Sequence, residues 1–252
     1  MVRAAPVLSR RRALALGAGA VVVAGYASAA EHLFSLREAW DVAFVGLLVL
    51  PASLALVWLV LPLARVPYPR LLLAAVPLAL AAVAFELADY DGGFNVAKLL
   101  VYALLGLAFL GVFELLWWVT LIAVLVPWVD AWSVASGPTR HVIDERPGLL
   151  ERLAVASPFP GENAAIFLGP PDLLFFALFL GAAARFGLRV GWTFAGMAGL
   201  LSATFALVVF GDVSGLPALP AVCLGFLLPN ADLLWRDARV AFRARRTREP
   251  AG

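Results

Sequence analysis

Two aspartates stand inside apolar segments where a carboxylate is costly. Asp130 lies in LIAVLVPWVDAWSVAS, roughly two turns before Gly137-Pro138. Asp172 lies in AIFLGPPDLLFFALFLG, near the middle of the span read over 164–182. An ionisable group at such depth costs about 3 kcal/mol on insertion scales, so it usually faces a polar interior and a function. No arginine or lysine shares their depth, which leaves no simple ion pair for either. Each acid alone could be satisfied by a hydroxyl or a backbone group. Two acids on spans adjacent in sequence, without a cation, point instead to mutual service. Close carboxylates cannot both ionise, so such a pair holds one proton as a coupled unit. One then takes a proton from water while the other donates to a scissile carbonyl, which is the electrostatic arrangement of an aspartic protease dyad.

Hydropathy defines the elements that must hold them. The chain has 252 residues, of which 63% are hydrophobic and 14% charged, more apolar than a soluble core of this size requires. Apolar runs of roughly 20 residues, each able to cross about 30 Å of hydrocarbon, recur along nearly the whole length. They predict an all-α fold, a polytopic transmembrane helical bundle of about eight spans (nine possible). The spans fall near 12–30, 42–64, 70–88, 97–114, 116–136, 164–182, 191–210 and 217–235. A single membrane domain then covers 1–252: N-terminal helices over 1–114, the helices bearing both aspartates over 115–235, and a basic tail over 236–252. The run 97–136 is too long for one crossing at about 1.5 Å per residue. Glu114, Trp117 and Trp118 mark its turn, since tryptophan favours the interface and a carboxylate avoids hydrocarbon.

Two stretches interrupt these spans. Pro217-Ala218-Leu219-Pro220 opens the last one with two prolines, and proline resists the helix interior. Loosened backbone in a membrane is tolerated only where it is buried in protein or lines a cavity. The stretch is therefore an ordinary helix start or the lip of a site. Gly169-Pro170-Pro171, directly before Asp172, predicts a similarly loosened backbone that admits water. Phe175 and Phe176 after it read as packed or lipid-facing.

Charge placement sets an orientation. Arginines crowd both termini (Arg3, Arg10, Arg11 and Arg12; then Arg236, Arg239, Arg243, Arg245, Arg246 and Arg248). Beside membrane spans they mark the cytoplasmic face rather than a nucleic-acid partner. Arg65, Arg70, Arg185 and Arg189 fall on the same side, whereas Asp89 and Asp91 fall outside. The predicted location is the cell membrane, multi-pass, with both termini cytoplasmic. The loop 137–163, which carries Arg140, Arg146 and Arg152 with Asp144, Glu145, Glu151 and Glu162, falls outside against the arginine rule. Residues 1–30 read as a retained first helix, with a cleaved export signal as the alternative. Asp41, Glu86, Asp89, Asp91, Asp212 and Asp232 lie near span ends or in loops, where solvation accounts for them. The single cysteine, Cys223, excludes an internal disulfide. With only His32 and His141 beside it, no metal centre is expected, and no cofactor.

In their order along the chain, these residues resemble the presenilin and signal peptide peptidase family of intramembrane aspartyl proteases. That family carries Tyr-Asp on one helix, Gly-x-Gly-Asp on the next, and Pro-Ala-Leu at the start of its last helix. Here Val129-Asp130 takes the first place and is followed by Gly137-Pro138-Thr139-Arg140. Gly169-Pro170-Pro171-Asp172 takes the second, and Pro217-Ala218-Leu219 is intact. The resemblance covers about 115–230 and implies catalysis by Asp130 and Asp172, with Pro217, Ala218, Leu219, Gly169 and Pro171 positioning substrate. It implies hydrolysis of peptide bonds inside transmembrane segments or signal peptides. Alanine- and arginine-rich composition points to a prokaryotic member. Val129 stands where the family has tyrosine, and Pro171 where it has glycine.

Two further readings stay open. One is a catalytically silent family member acting as a membrane binding protein, which rests on Pro171. The other is a proton-coupled transporter or channel using the same buried acids, with discontinuous helices at Gly169–Pro171 and Pro217–Pro220. No inverted repeat supports it. The expected partners are transmembrane substrates and the lipid bilayer, and nothing in the sequence sets an oligomeric state.

Overall fold

Glycine, proline and tryptophan divide the apolar sequence into helices. In the computed structural model, residues 8–136, 148, 152–211 and 216–246 are described, except the side chains of 134–136 and 241–246. Eight long helices form among the described residues: α1 (Arg10–Ala29), α2 (Glu38–Arg65), α3 (Tyr68–Leu87), α4 (Asp91–Leu110), α5 (Leu116–Ser136), α6 (Pro170–Arg185), α7 (Val190–Phe210) and α8 (Leu219–Arg246). Six of these segments are long and apolar enough to cross a membrane (α1 to α5 and α7), so this is a multi-pass helical membrane protein. At 16 residues, α6 spans about 24 Å. The second half of α8 carries Asp232, Arg236, Asp237 and Arg239 and is too polar to qualify.

The expected helical bundle is present, with one small addition and one correction. Val155–Pro158 (β1) and Ala165–Leu168 (β2) form an antiparallel hairpin, with Val155 opposite Leu168 and Pro158 opposite Ala165. The segment 164–182 is therefore not one helix. Ala165–Leu168 is an apolar run too short for hydropathy to tell strand from helix, and helix begins only at Pro170.

Proline locally reshapes α2. Pro51 has no N–H to offer the preceding turn, and a π-helical turn at Val45–Val49 comes immediately before it. The Ser202 hydroxyl of α7 lies 2.5 Å from the Gly46 carbonyl in that turn, tying α7 to α2. The core is a cluster of leucine, phenylalanine and alanine centred on α4 and α6, in which Phe176 and Phe179 are fully enclosed. Close approach needs glycine at several crossings, of which two bear on the site. A Cβ on Gly106 of α4 would run into the Leu174 carbonyl of α6, and one on Gly225 of α8 would run into the Met197 backbone of α7. By contrast, Leu73, Val76, Leu80 and Val83 of α3 point outward, as lipid-facing side chains do.

Short connections make most neighbouring helices antiparallel, and after the longer one α6 starts beside the last turns of α5. The starts of α1, α3, α5 and α7 therefore share one end of the bundle with the ends of α2, α4, α6 and α8. Arg10, Arg11, Arg12, Arg65, Arg70, Arg185 and Arg189 collect there. The opposite end holds Glu31, Glu38, Glu86, Asp89 and Asp91, with the hairpin across it.

Candidate functional site

At this hairpin end the last turns of α5 meet the first turns of α6 and α8. The backbone of Pro217 and Ala218 is not yet helical, and the Ala218 carbonyl accepts the first bonds of α8 from Ala221 N–H (3.1 Å) and Val222 N–H (3.3 Å). Prolines at Pro217 and Pro220 suit this position, because the first N–H groups of a helix have no intrahelical acceptor. One such orphan, the Leu219 N–H, donates to Asp130 Oδ2 at 3.2 Å. Asp130 thus caps a helix distant in sequence, and the positive end of that helix faces its carboxylate. One turn further along α8, the buried Cys223 lies within electrostatic range of Asp130.

Asp172 is held by the same device within its own helix. Pro170 and Pro171 open α6, Gly169 precedes it in extended conformation, and Asp172 occupies the third helical position. Its Oδ2 accepts the Gly169 N–H at 3.0 Å, while the Asp172 N–H donates to the Gly169 carbonyl at 3.1 Å. This is the reciprocal pattern of a capping box, without the hydroxyl half that a serine would supply. A Cβ on Gly169 would lie 3.2 Å from Asp172 Oδ2, so a side chain there crowds the carboxylate. Two expectations are corrected by this geometry. Asp172 is at a helix start rather than mid-span, and its backbone is an ordered cap rather than a loosened stretch. The cause is that two prolines are tolerated in the first turn, where their missing N–H groups leave no bond unmade.

The structure brings Asp130 and Asp172 close enough for the charge of one to act on the other. Both are half-buried. Each engages a backbone N–H through Oδ2, leaving Oδ1 as the atom from which a second partner could be held. Chemically, such a pair can share a proton and polarise a water between two oxygens. Val129 is 63% exposed on the outward stripe of α5, beside Trp128 and Trp132, and so turns away from this meeting point. Phe176 is enclosed against Phe194, and Phe175 stacks on Phe179. Phe179 in turn stacks on Phe226 at 4.9 Å and locks α6 to α8 below the carboxylates. The Gly137-Pro138-Thr139-Arg140 stretch, Asp144, Glu145, Glu151 and Asp212 lie outside the described residues.

The hairpin is moored by one face of α4. Lys98, the single lysine in the chain and 7% exposed, donates to the carbonyls of Arg152 (3.0 Å) and Ala154 (2.6 Å). Asn95 Oδ1 accepts the Ala156 N–H, and the Tyr102 hydroxyl donates to the Leu153 carbonyl. From α1, the Tyr26 hydroxyl donates to the Pro158 carbonyl at 2.7 Å.

A third acid was missed by sequence reasoning. Asp41, expected to be solvated at a span end, is 3% exposed and both its oxygens lack a hydrogen bond. The Leu36 N–H beside it falls short of hydrogen-bonding geometry. Helix ends carry no signal of what packs over them, and Asp41 is enclosed by tertiary packing at the hairpin end, within electrostatic range of Tyr26. Among the described residues no group of histidine, cysteine and carboxylate side chains could hold a metal ion.

The fold and these sites define a multi-pass helical membrane protein in which two acids each cap a helix start, one within electrostatic range of the other. Compared with known proteins, the chain matches no protein-family model, no curated protein and no solved structure.

Proposed function

We propose that the protein is an intramembrane aspartyl protease of the presenilin and signal peptide peptidase type, with Asp130 and Asp172 as its catalytic residues. The observation that supports this reading is that Asp130, bonded to the start of α8 beside Pro217-Ala218-Leu219, lies within electrostatic range of Asp172 at the start of α6. The pair enters the reaction with one proton. The ionised carboxylate takes a proton from water as the water oxygen bonds to the peptide carbon, and its partner gives its proton to the carbonyl oxygen. The resulting gem-diol collapses: the protonated aspartate gives its proton to the nitrogen as the C–N bond breaks, and the ionised one takes a proton from a gem-diol hydroxyl, whose oxygen becomes the carbonyl of the new acid, so the dyad again holds one proton. The substrate is a transmembrane helix or signal peptide, unwound near Gly169, Pro171 and Pro217–Leu219, where its freed backbone groups find partners. In this reading the arginine-rich end faces the cytoplasm, and the dyad works toward the opposite face of the membrane.

Pro171 is compatible with this chemistry because it sits in the first turn of α6, where an N–H is dispensable. One observation favours a second reading: both Oδ2 atoms are already engaged as helix caps, which suits a silent scaffold that binds membrane partners. The two readings separate in a cleavage assay. Purified protein with labelled single-span peptides should cut inside the apolar span, and Asp130→Asn and Asp172→Asn should each abolish cutting. Asparagine still caps a helix. If these variants fold but wild type and variants alike leave every peptide intact, and a transition-state mimic fails to bind, the silent reading stands.

A further inference from the structure

The arginine-rich end of the bundle, remote from the aspartates, contains a half-open cavity of about 440 Å³. The start of α1 supplies Arg12, the end of α2 supplies Trp58, Pro62 and Arg65, and Ala184 of α6 and Val190 of α7 complete the wall. Its volume is within the range of small-molecule sites. The arginines around it differ in how their charge is used. Arg189 grips Asp232 through two bonds of 2.7 and 2.8 Å, and Arg185 donates to the Leu110 carbonyl. The guanidinium groups of Arg12 and Arg65 have neither an ion pair nor a hydrogen bond among the described residues. Two uncompensated cations thus share one cavity whose remaining walls are apolar. Trp58 is fixed there by an edge-on contact with Phe194 at 5.4 Å.

We infer that this cavity binds an acidic phospholipid, with its phosphate between Arg12 and Arg65 and the start of an acyl chain against Trp58, Pro62 and Val190. The ligand must be anionic at one end and apolar at the other. A free phosphate would leave the tryptophan and proline walls wet, and a zwitterionic lipid would bring its own cation to the two guanidinium groups. Basic pockets between helices at a membrane face are suited to lipid headgroups, each basic side chain strengthening the attraction by about 1 kcal/mol.

Native mass spectrometry of the detergent-purified full chain, titrated with phosphatidylglycerol, tests this. One tightly held phosphatidylglycerol is expected, with phosphatidylcholine held far more weakly. The Arg12→Gln/Arg65→Gln pair should weaken binding about thirtyfold. Arg239→Gln, at the same end but outside the cavity, should leave it unchanged. Ala184→Phe fills the cavity without altering charge and should also lose the lipid, which keeps the test decisive if the arginine pair misfolds. Equal retention in the arginine pair and in Ala184→Phe overturns the inference, as does equal retention of phosphatidylcholine. Displacement of the lipid by inorganic phosphate or glycerol 3-phosphate at matched concentration overturns the lipid as ligand in favour of a soluble phosphate.

Discussion

The bond between the Leu219 N–H and Asp130 can be removed without removing the aspartate, by Leu219→Pro. Leu219 is the first residue of α8, where proline is favoured, and the Pro-Pro opening this would create is the one that α6 already uses at Pro170-Pro171. Leu219 is 5% exposed, so losing its side chain costs about 2–5 kcal/mol, and Leu219→Ala serves as the control that shares this cost but keeps the N–H. Relative to that control, the proline variant loses one hydrogen bond to a charged group, worth about 1.5–3 kcal/mol. The 3.2 Å length places it at the lower end of that range. Proline also restricts the unfolded chain and returns about 0.4–1 kcal/mol. Thermal unfolding in detergent should therefore differ by no more than about 1 kcal/mol between the two variants. Cleavage should not track stability. Without the N–H, Asp130 loses the contact that holds it beside Asp172, and the rate should fall about tenfold or more below that of Leu219→Ala. Equal cleavage by the two variants would refute the claim that the start of α8 positions the carboxylate.

Three more outcomes are expected. Asp130→Ala should destabilise the protein by about 1 kcal/mol through the lost cap, whereas Asp130→Asn should keep most of that stability in chemical denaturation. Gly106→Val should force α4 away from the Leu174 carbonyl, lowering stability by about 1–3 kcal/mol and displacing Asp172 two residues away, as read by thermal unfolding and cleavage. Lys98→Met preserves the side-chain volume but frees the carbonyls of Arg152 and Ala154, so hydrogen exchange over 152–168 should accelerate while the helices keep their protection.

Much of the helical frame was legible because apolar runs of membrane-spanning length recur along the chain, and because Glu114, Trp117 and Trp118 mark the turn between α4 and α5. The two aspartates stood out for a physical reason: an acid among leucines has few explanations, and the charge of Asp130 does reach Asp172. Legibility failed where tertiary packing decides. Ala165–Leu168 has the hydropathy of a membrane helix, yet it pairs with Val155–Pro158, a partner that no local pattern announces. Asp172 read as mid-span because the strand was counted as helix. Asp41 read as solvated because its enclosure comes from tertiary packing rather than from its neighbours in sequence. The cavity between Arg12 and Arg65 was equally silent, since those residues lie on different helices and converge only through bundle geometry.

The claim that two carboxylates work as one unit is tested most directly by comparing Asp130→Asn, Asp172→Asn and the double variant on one cleavable single-span peptide. A dyad predicts that each single variant loses as much activity as the double, because either loss removes the shared proton path. Losses that multiply in the double variant, or substantial cleavage by either single variant, would contradict the account.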